Sequence, residues 1–164
     1  MGRISLGRFI SPHVLEREVY YSPTAVRLGI DNRPTDERIW RNARMTAKLV
    51  FEPVRVHFDV PIKINSFYRS PKLNRRIGGS RRSAHLKALA IDMDDVYSVR
   101  FGVRNRDFFE FIKNHLDFDQ LIWEFGDDEN PDWVHVGIRE DVRKNRRQVL
   151  RSYRKNGKVV YEPF

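Results

Sequence analysis

The sequence predicts a small single-domain α+β fold, on three observations. Helix signals gather in about the first 60 residues, strand-like segments dominate afterwards, and no regular strand–helix alternation demands a parallel sheet. A chain of 164 residues is long enough for one real core and too short for two. With 40% hydrophobic and 32% charged residues, its composition is that of a globular domain rather than a disordered chain.

Ser11-Pro12 and Ser22-Pro23 each read as an N-cap followed by proline at the first helical position, predicting short helices near residues 12–18 and 23–28. Asn32-Arg33-Pro34 reads as a break. From Asp36, the residues Trp40, Ala43, Ala47, Val50, Val54 and Phe58 recur at helical spacing and mark one buried face, which Pro53 either kinks or divides. Residues 61–66 alternate as a half-buried strand does, and Ser70-Pro71 caps a short helix that Gly78-Gly79 ends. Residues 88–93 form a short apolar strand, and 107–116 carry Phe108, Phe111, Ile112 and Leu116 in helical register. Strands at 120–125 and 133–138 flank a loop rich in Gly, Asp and Asn.

Basic residues crowd the tail from Arg139 to Phe164, where Asn156-Gly157 signals a two-residue hairpin turn. Two segments are therefore expected: a main domain over 1–138 and a basic extension over 139–164, packed as a hairpin on the same domain. The net charge of +9 suits an anionic partner such as nucleic acid, a cell-wall polymer or acidic lipid. Cysteine is absent, which excludes disulfides, thiolate metal sites and a cysteine nucleophile, and leaves any metal to His, Asp and Glu. Neither a signal-peptide-length apolar run in Met1 to Pro12 nor a membrane-length run elsewhere is expected from the sequence.

His85 and Asp92 bracket the apolar segment 88–91, and His135 lies within 133–138. Two imidazoles and a carboxylate would leave zinc an open fourth position, where bound water is deprotonated near about pH 7 and becomes a nucleophile for amide hydrolysis.

The run Ser83-Ala84-His85-Leu86-Lys87-Ala88-Leu89-Ala90-Ile91-Asp92 closely resembles the Ser-x-His-x-x-Gly-x-Ala-x-Asp signature of the zinc D-Ala-D-Ala metallopeptidases, which cleave peptidoglycan peptides. Trp133-Val134-His135-Val136 is similar to that family's second metal motif, and Ile64 to Ser70, Leu73-Asn74 and Ile77 to Ser80 match its strand, arginine and glycine-rich turn. Ser22 to Ala25 and Gly29 to Asn32 are similar to its N-terminal region, so the resemblance spans about residues 8–138 in the family's order. Ala88 departs from it by standing where glycine is usual, a position suited to positive φ.

The resemblance implies a small domain whose antiparallel sheet carries Zn2+ on His85, Asp92 and His135. It places Asp132 at the catalytic carboxylate, with Glu124 as a competing base, and gives Arg69 the developing negative charge or the substrate carboxylate. Ser83, Tyr68 and Trp133 are expected to support the site or line the substrate cleft. The implied activity is hydrolysis of an amide bond in peptidoglycan peptides, by carboxypeptidase or endopeptidase action. The expected setting is a phage endolysin made in the cytoplasm and released to the wall with holin help, its basic tail near anionic polymer or lipid. Two other classes remain open: a non-catalytic zinc-binding module, and a basic virion or nucleic-acid-binding protein.

Overall fold

A computed structural model describes residues 7–164; the first six residues of the Met1 to Pro12 segment lie outside the described residues. The centre is a six-stranded sheet in the order β3 (Lys63–Ser66), β4 (Ala90–Asp94), β6 (Trp133–Gly137), β5 (Gln120–Glu124), β7 (Gln148–Lys155) and β8 (Lys158–Pro163). Alternation along each strand gives the sheet two unlike faces. Ile91, Met93, Val134, Val136, Leu121 and Trp123 face the core and are buried there. Asp92, His135, Ile122 and Glu124, one position out of phase, share the opposite face.

Helices cover the apolar face. Helix α3 (Glu37–Thr46) is capped by Asp36, whose side chain accepts from the Arg38 N–H. It runs into a π-helical turn, Ala47–Phe51, and then α4 (Glu52–Phe58). The wide turn has a local cause: Pro53 has no N–H to continue the ladder, and the preceding Glu52 N–H reaches back to the Ala47 carbonyl. Val50, Phe51 and Val54 from this segment pack with Phe108, Phe109 and Ile112 of α6 (Asn105–His115) in one core.

Ser22 and Ser70 cap α2 (Pro23–Arg27) and α5 (Pro71–Arg76) through their hydroxyls, each with proline at the first helical position. Ser11 departs from expectation. Its hydroxyl donates to Glu52 Oε1 at 2.6 Å, so it is not a helix cap. Residues 9–15 instead form the short pair β1 (Phe9–Ser11) and β2 (Val14–Leu15), and α1 begins only at Glu16 (Glu16–Tyr20).

The sheet is also not wholly antiparallel, because β7 runs parallel to β5. Residues 138–147 reverse the chain after β6 but step over β5 and deliver β7 to its far edge. Asp119 holds this crossover: Oδ1 accepts from Arg139 Nε at 2.6 Å, and the carboxylate takes a two-pronged contact from Arg146 at 2.7 and 2.9 Å. Arg147 adds bonds to the Leu116 and Lys113 carbonyls. The tail then turns at Asn156-Gly157, both at positive φ as a tight two-residue hairpin requires, and β8 closes the sheet against β7. Residues 148–163 are thus strands of the central sheet.

Burial works against ionisation of Asp119, but the hydrogen bonds from Arg146 and Arg139 prevail and hold its carboxyl below the ordinary carboxylate range. A depressed folded value stabilises the fold above the unfolded pKa of about 3.9, and that contribution is lost as pH falls through the folded value. Asp119→Asn is therefore expected to cost about 1–2 kcal/mol at pH 7 by chemical denaturation, with the gap to wild type closing on acidification below about pH 4. An equal gap at pH 7 and pH 3 would count against the clamp.

Candidate metal centre

Three side chains from separate elements meet on the polar face of the sheet. Asp92 and His135 stand directly opposite in the β4–β6 pair, and Asp92 Oδ1 lies 2.8 Å from His135 Nδ1. His85 comes from a 3₁₀ turn, Ala84–Lys87, and its Nε2 lies 3.2 Å from both of those atoms. The other ring nitrogen of His85 donates to the Phe67 carbonyl at 2.6 Å, which fixes the tautomer and turns the Nε2 lone pair inward.

The donor set fits a divalent metal ion. Three lone-pair atoms packed this closely repel unless a cation or protons lie among them, and the one N–H of neutral His85 is already committed to Phe67. Tetrahedral coordination with bonds of about 2.0–2.1 Å separates ligand atoms by about 3.3 Å, close to the distances found. Burial pushes the His85 imidazole down, toward the neutral form a metal needs. Burial opposes ionisation of Asp92, yet the adjacent imidazoles prevail and hold its carboxyl well below the usual carboxylate range.

The His85 turn is held from behind by α3. Asn42 Nδ2 donates to the Lys87 carbonyl at 3.0 Å, and Thr46 Oγ1 donates to the Ala88 carbonyl at 2.9 Å. These residues are four apart on one helix face, so one rigid element fixes both carbonyls. Ala88 itself ends the turn at φ +53°, the left-handed conformation that glycine adopts without strain. On the other side the backbone N–H of Arg69 donates to the His85 carbonyl at 3.1 Å.

The cluster opens into a cavity of about 840 Å³ whose lining includes Arg69, Ser83, Glu124 and Trp133. Glu124 is buried, and its Oε2 accepts from the Ser152 hydroxyl at 2.5 Å. Burial raises its pKa, and the Ser152 bond opposes that rise. Arg69 is half-buried; burial pushes its pKa down while Asp92 and Glu124 push it up. Its Nε is buried without a hydrogen-bond partner among the described residues.

Asp132 stands apart from this group. It is exposed, its side chain makes no hydrogen bond among the described residues, and it does not line the cavity. Its backbone N–H donates to the Glu124 carbonyl at 2.9 Å, so it sits at the end of the β5–β6 pair. Tyr68 is half-buried outside the lining, and Ser83 lines the cavity without bonding a ligand imidazole; that role falls to the Phe67 carbonyl. Two contributors, Ser152 and Tyr161, come from the tail outside the linear motif, and Phe67, inside it, acts through its backbone carbonyl.

The chain matches the Peptidase M15 family over residues 12–137, well over half its length, a span that includes His85, Asp92, His135, Arg69, Glu124 and Asp132. No curated protein matches it.

Loading the metal-free protein with Zn2+ or Co2+ is expected to raise its melting temperature, since a ligand at 100 times its Kd stabilises the folded state by about 2.7 kcal/mol. His85→Ala and Asp92→Ala should abolish the rise, and an unchanged rise in both variants would remove the metal from this cluster. At Ala88, glycine relieves about 1 kcal/mol of strain and gives up a buried methyl of similar worth. Ala88→Gly should therefore unfold within about 1 kcal/mol of wild type, whereas Ala88→Val, β-branched at positive φ, should cost more than about 2 kcal/mol.

Proposed function

The chain belongs to the peptidase M15 family, and from that premise we propose that it is a zinc-dependent peptidase that hydrolyses an amide bond in peptidoglycan peptides. The observation that carries the proposal is the convergence of His85, Asp92 and His135 on the floor of an open cavity that also holds a guanidinium and a buried carboxylate. Zinc, when bound there, supplies a Lewis acid that polarises a carbonyl and acidifies water.

The chain's own residues divide the remaining work. Arg69 lines the cavity, so its guanidinium is placed to hold the substrate carboxylate or the negative charge that develops on the carbonyl oxygen. Asp132 and Glu124 are the carboxylates available for proton transfer. Asp132 occupies a position that resembles the family's catalytic carboxylate and has no side-chain bond among the described residues to compete for its oxygens. Glu124 has one carboxylate oxygen engaged by Ser152, and burial shifts its pKa upward, the direction that suits a donor to the leaving amine. Its place inside the cavity also supports a second assignment, with Glu124 as the base.

The basic tail contributes less to a wall-polymer contact than its composition implies. Arg139 and Arg146 pair with Asp119, Arg143 with Asp141 and Arg151 with Asp128, so most of its arginines are already engaged. No helix among the described residues is long and apolar enough to cross a membrane. The phage-type lytic setting stays part of the proposal.

Mass spectrometry of purified peptidoglycan digested by the zinc-loaded protein tests the proposal. Loss of one alanine means carboxypeptidase action, and separated stems mean endopeptidase action; either should vanish with chelator. Asp132→Asn should lower kcat by about 10²-fold or more and Glu124→Gln by less. The reverse order would move the base to Glu124. Intact wall of every type tried, with folded and metal-loaded protein, would overturn the enzymatic reading in favour of a non-catalytic zinc module.

A further inference from the structure

The family match ends at residue 137, but the cavity does not. Beyond β5, the sheet continues into β7 and β8, and residues of both strands line the same space: Gln148, Leu150, Val159 and Tyr161. Cross-strand register puts Trp133, Glu124, Ser152 and Tyr161 in one row across β6, β5, β7 and β8. The next row holds Asp92, His135, Ile122 and Leu150. Tyr161 is therefore two strands from Glu124, a Cα separation of about 10 Å at ordinary strand spacing, and three strands and one pleat from His135 across the same cavity.

The residue between them is small. Ser152 is fully buried with its hydroxyl spent on Glu124, so it leaves the space above it open to the long side chain of its neighbour. Tyr161 lines that space together with Arg69 and Glu124 and is 52% exposed. Its hydroxyl has no hydrogen-bond partner among the described residues, although a phenol bonds readily to any acceptor within reach. A phenol with its ordinary pKa of about 10 is an O–H donor at neutral pH, and burial shifts that of Tyr161 further upward.

The strand that carries Tyr161 is fixed at both ends. Asn156-Gly157 forms the tight turn at one end. At the other, the Phe164 N–H donates to the Val149 carbonyl, and its ring packs against Phe109 and Trp123, centroids 4.8 and 5.3 Å away, on the far face of the sheet. A donor on a strand held this way costs little reorganisation when a substrate arrives.

We propose that Tyr161 is a further catalytic residue of this chain: its hydroxyl donates a hydrogen bond to the substrate carbonyl oxygen at the His85–Asp92–His135 centre, in the cavity it shares with Arg69. The inference rests on the peptidase reading above and adds a residue from outside the family-matched span.

Tyr161→Phe tests it, because the change deletes only an oxygen that bonds nothing among the described residues and should leave the melting temperature unmoved. Two readouts are compared with wild type in zinc-loaded protein: turnover of wall peptide, and calorimetric binding of a peptide whose scissile amide is replaced by a phosphinate. The expected result is a fall in kcat of about 10²-fold with KM within about threefold, and weaker phosphinate binding by a similar factor. Wild-type turnover matched within twofold by the variant overturns the role of Tyr161 and leaves the peptidase reading standing. If wild type binds the phosphinate without turnover, equal binding by the variant overturns the inference and weakened binding supports it. A wild-type protein that neither cleaves wall peptide nor binds the phosphinate overturns both.

Discussion

The pairing of Asp92 with His135 across β4 and β6 is the constraint on which the site depends. Strand side chains alternate between faces, so a slip of one residue in either strand would turn its ligand into the apolar core and bring Met93, Val134 or Val136 to the cavity. The core itself prevents that slip. Ile91 and Met93 on β4, and Val134 and Val136 on β6, are all fully buried beneath the helices, and burying such side chains is worth about 1.5–3 kcal/mol each. Hydrophobic packing on one face of the sheet thus sets the register of the polar chemistry on the other.

His85 lies outside that ladder and has to be brought to it. The Phe67 carbonyl sets its ring, the Arg69 N–H takes its backbone carbonyl, and α3 holds the turn after it through Asn42 and Thr46. The left-handed Ala88 is the cost of turning so sharply into β4. A modest backbone strain is retained because the surrounding bonds over-determine the conformation, a common arrangement near functional sites.

Much of this was legible in the sequence, and what was not has identifiable causes. His85, Asp92 and His135 could be picked out as candidate ligands because the runs around them resemble the metal motifs of the zinc D-Ala-D-Ala metallopeptidases, and Ser22 and Ser70 because a capping hydroxyl before proline is a local device. Ser11-Pro12 has the same local form, yet its hydroxyl serves Glu52, 41 positions away, and no local pattern reports such a partner. The parallel β5–β7 pair was equally hidden, since it depends on whether the chain after β6 stops beside β5 or steps over it. Half of Tyr161's position was readable: a two-residue turn at Asn156-Gly157 sets it opposite Ser152. The other half, Ser152 lying beside Glu124, follows only from the crossover.

That crossover also changes what the net charge of +9 means. Read along the chain, the arginines after residue 138 look like a surface waiting for a polyanion. In the fold, Arg139 and Arg146 converge on Asp119, and Arg147 caps carbonyls at the end of α6, so they bend the chain over β5 and present the next strand. Exposed ion pairs of this kind contribute little stability singly, but a two-arginine clamp on one carboxylate fixes a path as well as an energy. It favours the path that brings β7 to the far edge of β5, where Ser152 meets Glu124 and β8 adds Tyr161 to the cavity. The basic character of the tail is in this respect part of how the cavity wall is built.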